Sequence, residues 1–284
     1  YRIRSGLLYT LLQAVNEGHS YLPMEVLKQR AGVLLDVEPE ILETQLSNLA
    51  MDKKVILKTY DEITYCYATS LYYSEQNCAR KLWELNIPFI DDEAKVVSRV
   101  EKLQESNGID LDDLQKKAVV ESVCNGVFIL TGGPGTGKTT TINAMIKYFE
   151  SEGLEFYLAA PTGRAAKRMT EVTGRDASTI HRLLEATIDP ATGKMVFVRD
   201  ADNPLKTDVV IVDEMSMVDV QLLHSLLRAI PQGKRLILVG DPDQLPPVGP
   251  GFPFSDMLRS NMLPVVKLTE IFRQAQQSLI VMNA

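Results

Sequence analysis

The stretch "LTGGPGTGKTTTINAM", Leu130 to Met145, decides the fold. The run "VFIL" leads into it and reads as a buried strand, while "TTTINAMIKYFE" leads out of it and reads as a helix. Between the two, Gly132, four residues, then Gly137, Lys138 and Thr139 match G-x-x-x-x-G-K-[ST] in the strand-to-helix setting that gives this pattern its meaning. Glycines allow backbone N–H groups to turn inward around phosphate oxygens, and the helix that follows offers its positive end. Gly133, Pro134, Gly135, Thr136, Gly137, Lys138, Thr139 and Thr140 are therefore the candidate phosphate cradle. Lys138 is placed to reach β and γ phosphates, and the Thr139 hydroxyl to bind Mg²⁺. A Gly-rich turn without a ligand is the alternative.

Working outward, short apolar runs alternate with helical stretches: "FYLAAP", "DVVIVDE", "RLILVGD" and "VVKL" join "VFILT". Continuous apolar runs of this length, separated by amphipathic helices, are how buried parallel strands look, so the expected class is α/β with a doubly wound parallel sheet. In "VVIVDEMSMVD" two acids follow four apolar residues. Asp213 stands where a second strand end would hold Mg²⁺, and Glu214 where a base would orient and deprotonate water. Paired acids capping the next helix are the competing reading. Gln244, in "LVGDPDQLPPVGPG", falls just past another strand end, where an amide can meet a γ-phosphate; a plain loop amide is the alternative.

"APTGRAAKRM" follows a further strand and spaces Arg164, Lys167 and Arg168 over one helical face. That face is either a local anion-binding patch or a solvated basic surface. The distinction counts because the chain carries 37 acids against 30 Lys and Arg, a net charge of −7, so any nucleic-acid footprint must be local. Residues 186–198, "ATIDPATGKMVFV", read as a small hairpin turning at Pro190 to Gly193, serving as a surface connection or a duplex-splitting wedge.

Before the P-loop, residues 1–107 read as mainly helical, in "SGLLYTLLQAV", "MEVLKQRAGVLL" and "EPEILETQLSNLAM", followed by a β-hairpin turning at Asp61 and Glu62. Three helices and a hairpin outline a winged-helix module; a generic helical domain fits the same pattern. The expected domains are 1–107 and 108–284. No apolar run reaches the roughly 18 residues that span a bilayer. Cys66, Cys78 and Cys124 have no metal-ligand spacing and read as reduced thiols of a cytoplasmic protein, and His19, His181 and His224 are too scattered for a metal site.

The order "GGPGTGKTT", "APTGRAAKRM", "STIHRLL", "VIVDEMSM", "VGDPDQLPPV" and "LTEIFRQ" resembles the superfamily 1 DNA helicases of the RecD/TraA-like group, over about residues 108–280. The resemblance implies a RecA-like motor domain that binds ATP and Mg²⁺, with single-stranded DNA gripped independently of sequence across its top and translocation from 5′ to 3′. It implies that Gln115 contacts adenine, that Gln244 couples the γ-phosphate to DNA grip, and that Arg273 stabilises the transferring phosphate. An ordinary exposed helix position for Gln115 and a surface salt bridge for Arg273 are the plainer alternatives. Thr162, Gly163, Arg164, Thr179 and His181 match the family's DNA-facing motifs. The family carries a second RecA-like domain after "IFRQ", so this chain is expected to be a fragment that binds ATP-Mg²⁺ without unwinding alone. An RNA helicase of the same superfamily and a nucleotide-gated binding module remain alternatives. The N-terminal region resembles the helical domain ahead of the motor in this group, with duplex DNA, a protein subunit or nothing as its partner.

Overall fold

The computed structural model describes residues 1–89 and 92–269, which fall into two compact units. The first comprises residues 1–79 with 219–224 and 246–253. Its order is α1 (Arg2–Asn16), β1 (Tyr21–Pro23), α2 (Met24–Leu35), α3 (Pro39–Met51), β2 (Val55–Tyr60) and β3 (Ile63–Ala68), followed by α4 (Thr69–Leu85). The strands form an antiparallel sheet in the order β1-β3-β2, which with three helices is a winged-helix topology. Leu7, Leu11, Leu27, Leu42, Leu46 and Leu49, one stripe from each helix, close its core against Val55 and Cys66. The β2–β3 turn sits at Asp61 and Glu62, whose φ values of 47° and 66° are those of a two-residue turn that keeps the strand twist. On the sheet's other face Tyr60, Tyr65, Tyr21 and Tyr67 run on to Tyr72 and Tyr73 of α4 in unbroken ring-to-ring contact, each step 5.0–6.3 Å between centroids.

The second unit holds α5 (Glu93–Asn107), α6 (Asp113–Cys124), β4 (Val127–Gly132), α7 (Lys138–Ser151), β5 (Phe156–Ala160), α8 (Gly163–Thr173), β6 (Ala177–Thr179), α9 (Ile180–Leu183), β7 (Ala186–Ile188), β8 (Met195–Phe197) and β9 (Val209–Val212). After β9 come α10 (Val220–Ala229), β10 (Arg235–Gly240), α11 (Pro253–Ser260) and β11 (Val265–Leu268). Six strands form one sheet in the order β11-β4-β10-β9-β5-β6, every pair parallel. β4, β9 and β10 are buried along their whole length, which is why each is a continuous apolar run. β7 and β8 form the separate hairpin, with Asp189 accepting from Ala191 N–H and the Thr192 hydroxyl in its turn.

Along the chain the first change of unit falls between Ala79 and Arg80. Val96, Val100 and Leu103 of α5 share a core with Val119, Met145 and Phe149 of the P-loop unit, so the segment up to 107 is divided between the units. Among the described residues no helix is long and apolar enough to cross a membrane.

Candidate nucleotide and nucleic-acid site

In a parallel sheet all strands end on one side, and the P-loop, Thr162, Asp213 and Gln244 stand there because each follows a strand. β4 ends at Gly132, and the loop to α7 turns through Gly135 (φ 76°) and Gly137 (φ 86°), conformations that glycine adopts without a Cβ penalty. A Cβ on Gly132 would lie 2.6 Å from Thr136 Oγ1 and 2.9 Å from the Leu268 carbonyl oxygen, so the loop closes only over glycine. Thr136, buried, donates its hydroxyl to the Gly133 carbonyl at 2.9 Å. The Lys138 ammonium donates to the carbonyls of Gly132 at 2.5 Å and Gly133 at 2.9 Å. Thr139 is half-buried in the first turn of α7, and Pro134 and Thr140 are exposed.

Asp213 follows β9. Its carboxylate accepts the Glu214 N–H at 2.8 Å, and its own N–H continues the sheet to the Ala159 carbonyl at 2.9 Å. Glu214 has φ 56°, a left-handed conformation that is costly for a residue with a Cβ and that gathers at functional sites. Burial holds the Lys138 ammonium below its usual pKa, against the opposing pull of Asp241, Asp213 and Glu214, while Arg168 adds to the lowering. Burial likewise raises the Asp213 carboxyl, and the charge of Glu214 adds to it; the Glu214 N–H, Lys138 and Arg168 oppose. Lys138, Asp213, Glu214, Asp241 and Arg168 thus share one electrostatic field. A partly desolvated carboxylate in the field of a lysine is suited to a hard divalent cation with phosphate, and such a cation would favour the ionised Asp213.

Two members of that group were not read from the sequence as site residues. Asp241 is buried at the end of β10; its carboxylate accepts the Asp243 N–H at 3.1 Å and its carbonyl the Gln244 N–H at 3.3 Å, which sets the turn that presents Gln244 to solvent. Its signal was available, since it follows an apolar run as Asp213 does. Arg168 was read as part of a basic patch, and its field reaches Lys138 and Asp213; Arg164 is exposed, and Lys167 pairs with Glu171 at 3.9 Å.

Gln115 is fully buried, which removes the reading of an exposed helix position. It closes a capping box at the start of α6: its N–H donates to Asp112 at 2.8 Å and its Oε1 accepts the Asp112 N–H at 3.1 Å. Among the described residues its Nε2 has no partner, and a buried unsatisfied donor is a cost that a ligand acceptor can remove. Thr162 and Thr179 cap α8 and α9, their hydroxyl oxygens accepting from Ala165 N–H at 3.2 Å and Arg182 N–H at 3.1 Å, which leaves each O–H to donate outward. Gly163 is exposed at the start of α8, and the His181 ring meets Phe197 of the hairpin at 5.7 Å. Arg273 lies outside the described residues.

The parallel sheet and the loop from Gly132 to Lys138 define an α/β unit of RecA-like fold with a P-loop. The family described as an AAA domain matches residues 115–250. Among curated proteins, the ATP-dependent RecD2 DNA helicase of Deinococcus radiodurans is 45% identical over 174 residues, covering 61% of this chain and 23% of that protein. The RecBCD enzyme subunit RecD of Mycolicibacterium smegmatis is 36% identical over 167 residues, 51% of this chain and 30% of that protein. Among solved structures, the Pif1 helicase of Candida albicans aligns with a TM-score of 0.43 at 26% identity, over 60% of this chain and 42% of that one. In its P-loop region the chain is similar to RecD2 and RecD proteins, and it spans about a quarter to a third of the length of these curated relatives.

Proposed function

We propose that this chain is the ATP-binding motor segment of a DNA helicase that translocates on single-stranded DNA from 5′ to 3′. The observation that carries the reading is the shared field of Lys138, Asp213 and Glu214 at the ends of β4 and β9. In it the loop N–H groups and Lys138 hold the triphosphate, and Gln115 Nε2 donates to adenine. Thr139 and Asp213 would hold Mg²⁺, which would supply positive charge against the phosphates. Glu214 takes a proton from the attacking water, Gln244 contacts the γ-phosphate, and Arg273 supports the charge of the transferring group. Thr162, Gly163, Arg164, Thr179 and His181 grip the DNA backbone, so that binding is independent of sequence. The similarity to the RecD2 DNA helicase supports DNA as the polymer.

Steady-state ATP hydrolysis titrated with oligo-dT, with Lys138→Ala as the blank, tests this. Turnover or Mg²⁺-ATP binding that the blank lacks supports the nucleotide site, and stimulation by oligo-dT above oligo-U supports the DNA motor. Equal nucleotide binding by both proteins would refute the site, and preference for oligo-U would move the reading to an RNA helicase. Unwinding is proposed for the whole protein that contains this segment.

A further inference from the structure

A second cavity of about 500 Å³ lies within the P-loop unit, beside edge strand β6. It is not the ATP site. Tyr157 is the second residue of β5 and Lys206 precedes β9, so both stand towards the strand starts, whereas Gly132, Asp213 and Asp241 stand at the strand ends. At about 3.3 Å per residue the two levels are roughly 15 Å apart along the strands.

The lining has the chemistry of an anion site with an aromatic wall. Arg182, Arg199 and Lys206 face Asp176 and Glu185, three cations against two carboxylates. Arg199 is committed: it donates to Glu185 at 2.6 and 2.9 Å and to Asn203 at 3.2 Å. Arg182 and Lys206 are exposed, and their side chains make no hydrogen bond or ion pair with any described residue. In a chain of net charge −7, two uncommitted cations lining one cavity against the single uncommitted carboxylate of Asp176 are a local reversal of sign. Tyr157 is 39% exposed despite its place in an interior strand of the sheet, and Leu158, Leu183 and Leu205 supply an apolar floor.

We propose that this cavity binds a nucleoside 5′-phosphate, with Arg182 and Lys206 on the phosphate and the base against Tyr157. The volume lies within the usual range of small-ligand sites and exceeds what a bare phosphate needs, and an aromatic face accepts any base. Its ligand is either one nucleotide of a bound strand or a free mononucleotide. Glu185, in the left-handed region at φ 54°, and Arg199 form both the cavity wall and the stem of the β7–β8 hairpin, where the Val198 and Arg199 N–H groups donate to the Glu185 and Leu184 carbonyls. Occupancy would therefore stiffen the hairpin stem.

The test titrates dTMP, and separately a short oligo-dT, into the chain saturated with Mg²⁺-ATPγS, whose own binding is measured first and reports the P-loop reading independently. Variants are Arg182→Ala with Lys206→Ala, which remove exposed side chains and leave the core intact, and Tyr157→Leu, which keeps an apolar strand residue. If free mononucleotide is the ligand, dTMP binds once per chain and loses about tenfold or more in both variants. A nucleotide of a strand as the ligand predicts the same loss for oligo-dT with no dTMP binding. Affinity for both probes unchanged in both variants would overturn the proposal.

Discussion

The Lys138 ammonium sits on the Gly132 carbonyl at 2.5 Å, hydrogen-bonded to the loop it is meant to serve. Gly132 ends β4 and Lys138 opens α7, so the cation is held over the loop by the backbone on which that loop begins. Lys138→Ala removes the charge and leaves two carbonyls to water. Nucleotide turnover should fall by roughly 10²-fold or more, while thermal unfolding shows the fold retained. An unfolded variant would make the lysine structural instead.

Gly132→Ala tests the same loop from its backbone. The added Cβ would meet Thr136 Oγ1 at 2.6 Å and the Leu268 carbonyl at 2.9 Å, and the second of these belongs to the neighbouring strand and has little room to move. We expect a loss of about 1–3 kcal/mol in denaturant unfolding, together with weaker nucleotide binding. A Gly133→Ala control, where no atom of the described residues lies within 4 Å of the new Cβ, should unfold as the parent does.

Glu214 keeps a left-handed backbone directly after the carboxylate that accepts its N–H. Glu214→Gln preserves size and that N–H and removes the carboxylate proposed as the base. Turnover should drop by about 10²–10⁴ with Mg²⁺-nucleotide affinity little changed, as read by equilibrium binding. Equal turnover in both proteins would assign the base elsewhere and favour a nucleotide-gated module.

How much of this was legible follows from what each residue depends on. β4, β9 and β10 were visible as apolar runs because strands inside a parallel sheet are buried on both faces, whereas β5 and the edge strand β11 are apolar in sequence though partly exposed. β6, with the polar sequence "AST", and β1, three residues ended by a proline, are strands only because β5 and β3 pair with them, and no periodicity can form in three residues. The P-loop and Asp213–Glu214 were legible because their chemistry is tied to strand ends. The field of Arg168 at Lys138 was not, since helical spacing says which residues share a face and nothing of what that face meets. The same limit hid the membership of α5 in the P-loop core.

Gln115 joins local and tertiary information. Its capping box was readable in "DDLQ", but its complete burial and its orphaned Nε2 arise from packing. Gln115→Ala should lower stability by about 1 kcal/mol through the lost cap and raise KM for ATP about tenfold with KM for GTP and kcat nearly unmoved. A parallel rise for both nucleotides would leave the amide with a capping role alone.

The three thiols differ in a way that labelling can read. Burial pushes Cys66 and Cys78 up to about 12, whereas Cys124 is only half-buried and is raised less far. The thiolate is the reacting species, so at pH 8 the two buried thiols present a reactive fraction on the order of 10⁻⁴. Cys66 is also inaccessible, being part of the winged-helix core with Leu22 and Val55. Iodoacetamide at pH 8 should therefore modify Cys124 first, with Cys66 and Cys78 following only as their surroundings open. Mass spectrometry of peptides after short exposure gives the order directly, and denaturant should bring all three to one rate. Cys66 modified as fast as Cys124 in the folded protein would mean that the core around β3 opens far more readily than its packing implies.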